Sequence, residues 1–244
     1  MHLNGLYSIL RHRKTIQNQT PVASELIATI GFLDLPSHIV GRQTPTLNIW
    51  RDYCRGRSGT EPASGMPYNL LDIFSLIAEP DAEWHFWSWN TKDLDTTSVN
   101  YMLWDVTRLA GIIVAREYRR CSSGHIGPCD HASGGMFSSP STEELVERIF
   151  SQLERLYQLS ADVVRSTVNL LLFPAFTVGA QHSILSLKQK AFLEDFWTVF
   201  FFEDDTGSPH LQMPLKILRE LWVNPCRRSA DQIAQDWEVE VGLF

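Results

Sequence analysis

Apolar residues recur along most of this chain with the three- and four-residue spacing of an α-helix, and this periodicity restricts its possible folds more than any other feature. The clearest run places seven side chains on one face of a long helix: Val99, Met102, Leu103, Val106, Leu109, Ala110 and Ile113. No convincing run alternates apolar and polar residues as a half-buried strand does. The sequence therefore predicts an all-α fold, an irregular bundle of roughly eight or nine helices without a sheet.

Two helix starts are marked by capping boxes. Ser141 is followed three residues later by Glu144, and Ser229 is followed by Gln232. In such a pair each side chain bonds the backbone N–H of the other residue, which satisfies donors that a helix start leaves open. Helices are therefore predicted to begin just after Ser141 and Ser229.

The length and composition favour one domain. The chain has 244 residues, of which 44% are hydrophobic, so residues 1–244 are predicted to form a single helical domain. Three segments rich in Gly, Ser, Pro or acidic residues are predicted to be loops: 45–65, 121–140 and 204–209. The middle loop, about residues 121–140, is long for a compact domain and is predicted to be mobile.

Charge and hydropathy limit the partners. The formal net charge is −7, which argues against direct DNA binding, because phosphate contacts usually require a basic face. The most apolar stretch, residues 168–180, is too short to span a bilayer and contains Asn169 and Pro174. No secretory leader is recognised at the N-terminus. An intracellular protein without membrane contact is expected.

Cysteine and histidine cluster once, in the predicted mobile loop. Cys121, His125, Cys129 and His131 supply sulfur and imidazole groups that could close a tetrahedral zinc site. Their spacing matches no common zinc module, since the usual Cys-x2-4-Cys pair is absent. A flexible Ser/Gly loop that happens to hold these residues is the favoured alternative, so no metal and no cofactor are predicted.

Catalytic motifs are missing from the sequence. It contains no GxSxG nucleophile elbow, no Walker A loop, no GxGxxG after a strand and no HExxH. A pocket without converging titratable groups is poor evidence for catalysis. The chain is therefore predicted not to be an enzyme.

An aromatic run is the best candidate for a ligand or partner patch. It consists of four rings within six residues: Trp84, Phe86, Trp87 and Trp89. These rings could line a pocket for an apolar small molecule, or they could form a partner-binding surface. The alternative is a helix buried in the core, which is where aromatic stripes usually lie.

Five segments, taken in order, carry a family resemblance. Residues 2–10 read HLNGLYSIL, residues 65–74 read GMPYNLLDIF and residues 171–180 read LLFPAFTVGA; residues 25–42 end in Gly-Arg, and 218–222 read LRELW. Together they resemble the fungal-specific transcription factor domain, which is the regulatory region of fungal binuclear zinc-cluster regulators. The resemblance covers nearly the whole chain and implies a helical fold and a role, but no active site.

The resemblance implies a transcription-regulatory domain in the nucleus, acting through ligand sensing or through coregulator and dimer contacts. The implied partners are coregulator proteins or a related transcription factor, with a small apolar effector. The family's six closely spaced cysteines are absent, so DNA contact is expected only through a missing N-terminal module. The alternative is a stand-alone helical adaptor, or an inhibitor of a related regulator, that lacks DNA binding.

Overall fold

The computed structural model describes residues 21–90, 98–123, 139–159, 169–201, 209–224 and 228–243. Nine α-helices dominate these ranges and confirm the predicted all-α fold. They are α1 (Pro21–Leu33), α2 (Tyr68–Phe74), α3 (Ala82–Ser88), α4 (Val99–Ser123), α5 (Thr142–Tyr157), α6 (Asn169–Ala180), α7 (Leu187–Phe201), α8 (Pro209–Val223) and α9 (Ala230–Asp236). A 3-10 turn (Pro36–His38) and a π-helical turn (Trp50–Cys54) lie between α1 and α2.

One small sheet departs from the predicted absence of strands. Strand β1 (Ile39–Val40) pairs antiparallel with β2 (Val241–Gly242), so that Val40 lies opposite Val241. Two-residue strands are too short to show an alternating pattern in sequence. Their pairing holds the segment that follows α1 and the 3-10 turn beside the C-terminal end of the described chain.

The long helix α4 is the centre of the bundle. Six of the seven side chains of its apolar stripe are buried, as the periodicity predicts, and Val99 at its start is partly buried. The helix packs against α3, α5 and α6. A Cβ atom at Gly111 would lie only 2.6 Å from Cζ of Phe86, so a side chain at this position would push α3 away from α4. No helix in the described ranges is both long enough and apolar enough to cross a membrane.

Both predicted capping boxes are confirmed. The Ser141 hydroxyl accepts the Glu144 N–H, and the Glu144 carboxylate accepts the Ser141 N–H. Ser229 and Gln232 make the same reciprocal pair at the start of α9. The side chains that follow Ser141 at helical spacing are buried: Leu145, Ile149, Leu153 and Leu156.

The predicted loops have different outcomes. The loop at 45–65 is wrong in part, because the π-helical turn inside it buries Trp50 and Cys54 against α1. Of the loop at 121–140, the first three residues continue α4, and 124–138 lie outside the described residues. Of the loop at 204–209, only Pro209 is described, and it begins α8.

Candidate functional site

A cavity of about 160 Å³ lies between α1, the 3-10 turn, α4, α6 and the C-terminal end of the described chain. Most of its wall is apolar, formed by Phe32, Leu33, Ala63, Leu170, Phe173 and Leu243. Ala63 is exposed and marks the rim, whereas Phe173 and Leu243 are buried. A concave apolar site with a few polar groups is the usual form of a small-molecule site.

The polar wall consists of hydroxyl, amide and imidazole groups: Thr29, His38, Ser64, Thr107 and Asn169. The Thr107 hydroxyl donates to the Leu103 carbonyl oxygen at 2.7 Å, one turn back in α4. The Thr29 hydroxyl lies 3.1 Å from Oε1 of Glu61, a fully buried carboxylate that also accepts the Ser64 N–H. These bonds fix the polar groups in place, so the wall is preformed.

His38 is the most unusual polar group in the cavity wall, because it is only 2% exposed and is surrounded by rings. Its imidazole stacks on Phe173 with the ring centroids 4.7 Å apart, and meets the rings of Phe32 and Phe74 edge-on. Nδ1 lies 3.0 Å from Oγ of Ser37. Nε2 makes no hydrogen bond to any residue that the structure describes.

The imidazole of His38 is neutral at physiological pH. Burial disfavours the charged form, and the positive charge of Arg42 adds to this, so the pKa of His38 falls from 6.5 to about 3. A neutral imidazole has one N–H donor and one acceptor nitrogen. The cavity wall therefore offers an uncharged group that can form a hydrogen bond with a ligand.

The turn that carries His38 is held by Asp34. The Asp34 carboxylate accepts the N–H groups of Leu47 and Ile49, each at 3.1 Å, and pairs with Arg42. Burial is the main influence on Asp34 and raises its pKa, while the two backbone bonds and Arg42 oppose that rise. These contacts tie residues 34–49 together, and hence fix the position of the His38 ring.

Residues 229–243, here called the C-terminal strap, close one side of the cavity. The Gly41 N–H donates to Oδ1 of Asp231 at 2.8 Å, and the Gln43 N–H donates to Oε1 of Glu240 at 2.8 Å. The Leu243 N–H donates to the carbonyl oxygen of His38 at 2.9 Å, which seats the Leu243 side chain in the wall. The wall is therefore complete only when the strap is docked.

The aromatic run predicted as a patch is divided between different environments. Trp84 is 50% exposed, whereas Phe86 is fully buried and packs on the ring of Phe74. Trp87 is half-buried beneath the guanidinium of Arg108, and Trp89 is half-buried with its Nε1 bonded to Asn69. Burial removes Phe86 from any surface patch, and none of the four rings lines the cavity.

One of the four candidate zinc ligands lies within the described residues. Cys121 is exposed near the end of α4, and His125, Cys129 and His131 lie outside the described residues. Among the side chains that the structure describes, no group of three or more His, Cys, Asp or Glu is arranged to hold a metal ion.

Comparison of the chain with protein-family models, with curated proteins and with solved structures finds no match. The resemblance to the fungal regulatory domain thus stays a prediction from the sequence.

Sequence reasoning did not identify His38 as part of a site. It follows Pro36 and Ser37 as a lone histidine in no motif. Its environment is created by Phe173 and Leu243, which are more than a hundred residues further along the chain. Only the folded structure brings these groups together.

Proposed function

We propose that this chain is a nuclear transcription-regulatory domain that responds to a small, mainly apolar molecule bound in the cavity around His38. The observation that carries the proposal is the preformed apolar cavity closed by the C-terminal strap. The helical fold is compatible with the resemblance to fungal regulatory domains, and the absence of catalytic motifs from the sequence favours binding over chemistry.

The strap supplies a route from ligand to partner. A ligand in the cavity would contact Leu243 and so favour the docked strap over the open one. Strand β2 of the strap packs against α8, and α9 packs on the same helix. Ligand binding would thereby stabilise the α8 surface, on which a coregulator or a related transcription factor would bind.

The test is a reporter assay with the chain fused to a heterologous DNA-binding domain. Thr107→Leu adds volume inside the cavity wall and is expected to change reporter output or abolish its response to a ligand. Thr198→Leu is the matched control, because the Thr198 hydroxyl makes the same one-turn-back bond but is exposed on α7. A fusion that leaves the reporter at the level of the DNA-binding domain alone would contradict the proposal.

A second candidate function is a stand-alone adaptor that binds a related regulator or a second copy of itself. It is favoured by two exposed side chains, Leu187 (84% exposed) and Val223 (75% exposed). Both lie within one turn of the contact between Lys190 and Trp222, so they share one end of the α7–α8 pair. Light scattering separates the candidates: an adaptor of this kind dimerises or binds the relative, whereas a strict monomer that ignores the relative excludes it.

A further inference from the structure

We infer that the cavity binds an uncharged molecule of the size of a single six-membered ring, with one hydroxyl group that forms a hydrogen bond to Nε2 of His38. This inference rests on the proposed function, since it names the ligand class of the same cavity. It is carried by the volume of the cavity, by the absence of charge from its described wall and by the unpaired imidazole nitrogen.

The volume sets the size of the ligand. A cavity of about 160 Å³ is close to the roughly 150 Å³ of an apolar engineered cavity that binds benzene. It is smaller than the roughly 300–1,000 Å³ of sites for drug-sized ligands. The enclosed part of the cavity therefore holds one ring with one or two substituents, and any larger part of a ligand would extend past the exposed rim at Ala63.

The wall sets the charge of the ligand. No Asp, Glu, Lys or Arg is among the described residues that line the cavity. An ionised ligand would lose its hydration without gaining an ion pair, which costs far more than the transfer of a neutral polar group. Glu61, the nearest buried carboxylate in the wall's hydrogen-bond network, is already occupied by Thr29 and Ser64. An uncharged ligand is therefore favoured.

His38 sets the polar group of the ligand. Nδ1 is paired with the Ser37 hydroxyl, and that hydroxyl can donate or accept, so either neutral tautomer of the ring is compatible with the contact. Nε2 is then a donor in one tautomer and an acceptor in the other. A ligand hydroxyl satisfies both cases, whereas a carbonyl satisfies only one. The stacked Phe173 ring completes a flat wall against which a ring can pack.

The experiment is a calorimetric titration of the full chain with three probes of equal ring size: phenol, toluene and benzoate. Phenol is expected to bind about tenfold more tightly than toluene, because a neutral hydrogen bond in a buried site contributes about that factor. Benzoate is expected to bind more weakly than toluene. His38→Phe keeps an aromatic ring at the position but removes the nitrogen, so it should abolish the preference for phenol while toluene still binds.

His85→Phe is the matched control, because it makes the same change at a surface histidine on α3. It should keep the preference of the wild-type chain. Toluene binding to His38→Phe also reports that the variant has folded. If that variant fails to fold, the imidazole proton signals of His38 in the wild-type chain give the answer, because phenol should shift them and toluene should shift them much less.

The results of these titrations distinguish the ligand class from the existence of a ligand cavity. Equal binding of phenol and toluene to the wild-type chain, or a preference that survives His38→Phe, would overturn the hydroxyl inference and leave the ligand cavity in place. Tighter binding of benzoate than of phenol would overturn the inference of an uncharged ligand. If none of the three probes binds, both this inference and the proposed function are overturned.

Discussion

Gly41→Ala is expected to release the C-terminal strap and open the cavity. Gly41 has a φ of +72°, a backbone conformation that residues with a Cβ atom rarely adopt, and it packs against α9. A Cβ atom there would be 2.4 Å from the Cβ atom of Ala234 and 2.5 Å from the carbonyl oxygen of Val239. Neither neighbouring atom is the free end of a flexible side chain, so the strap itself must move.

The cost of this change has two parts. An L-residue in the left-handed region costs about 1–2 kcal/mol, and forcing a methyl group into a packed site costs about 1–3 kcal/mol more. The sum is about 2–5 kcal/mol. Gly56→Ala isolates the first part, because Gly56 has a φ of +79° and no atom within 4 Å of the position of its Cβ. Gly41→Ala should therefore cost at least about 1 kcal/mol more than Gly56→Ala.

Urea unfolding measures the two free-energy losses, and hydrogen exchange locates them. In Gly41→Ala the amides of residues 229–243 should exchange at least about tenfold faster than in the wild-type chain, and those of α4 should change less. Gly56→Ala should leave the strap protected. Two results would refute the contact between Gly41 and α9 and the closure of the cavity by the strap. One is an equal loss of unfolding free energy in the two variants, and the other is unchanged amide exchange of residues 229–243 in Gly41→Ala.

Three further outcomes follow from the same contacts. The pKa of His38 is 6.5 in the unfolded chain and about 3 in the folded one, so the unfolded chain takes up the proton first as pH drops, and the free energy of unfolding should fall by up to about 1.4 kcal/mol per pH unit between pH 6.5 and 3. Urea unfolding at pH 7 and at pH 5 measures this fall, and His38→Phe should reduce it. Phe86→Ala should cost about 3–5 kcal/mol and Trp84→Ala less than about 1 kcal/mol, measured by the same unfolding assay; equal costs would contradict their different burial. Glu83→Gln should cost about 1–3 kcal/mol, because burial raises the pKa of Glu83 but the bonds with Arg116 and Ser139 outweigh it and lower the pKa to about 2; a thermal scan that shows no loss would contradict a structural role for the Glu83–Arg116 pair.

Local signals in the sequence account for most of the helical fold. The stripe from Val99 to Ile113 forms one face of α4, and both capping boxes start helices where they were predicted. These features depend on residues three or four positions apart, so they are visible in a linear sequence. The π-helical turn at Trp50 was missed because its Gly- and Arg-rich surroundings resemble a loop, and only packing on α1 buries it.

The candidate site could not be predicted in the same way, because each of its parts comes from a different region of the chain. His38 carries no motif, and its low exposure results from contacts with Phe32, Phe74 and Phe173. The aromatic run was the more conspicuous sequence feature, yet its rings are distributed between the core and the surface. The spacing of these four rings was compatible with a surface patch and with a core helix, and it could not assign each ring to one or the other.

The cavity around a neutral, buried His38 is tested most directly by the NMR signals of its imidazole carbon-bound protons. These signals should stay constant between pH 5 and 8, and phenol should shift them in a saturable way in the wild-type chain but not in Thr107→Leu. Titration of the signals near pH 6.5, or no shift at saturating phenol, would contradict a ligand cavity around a neutral His38.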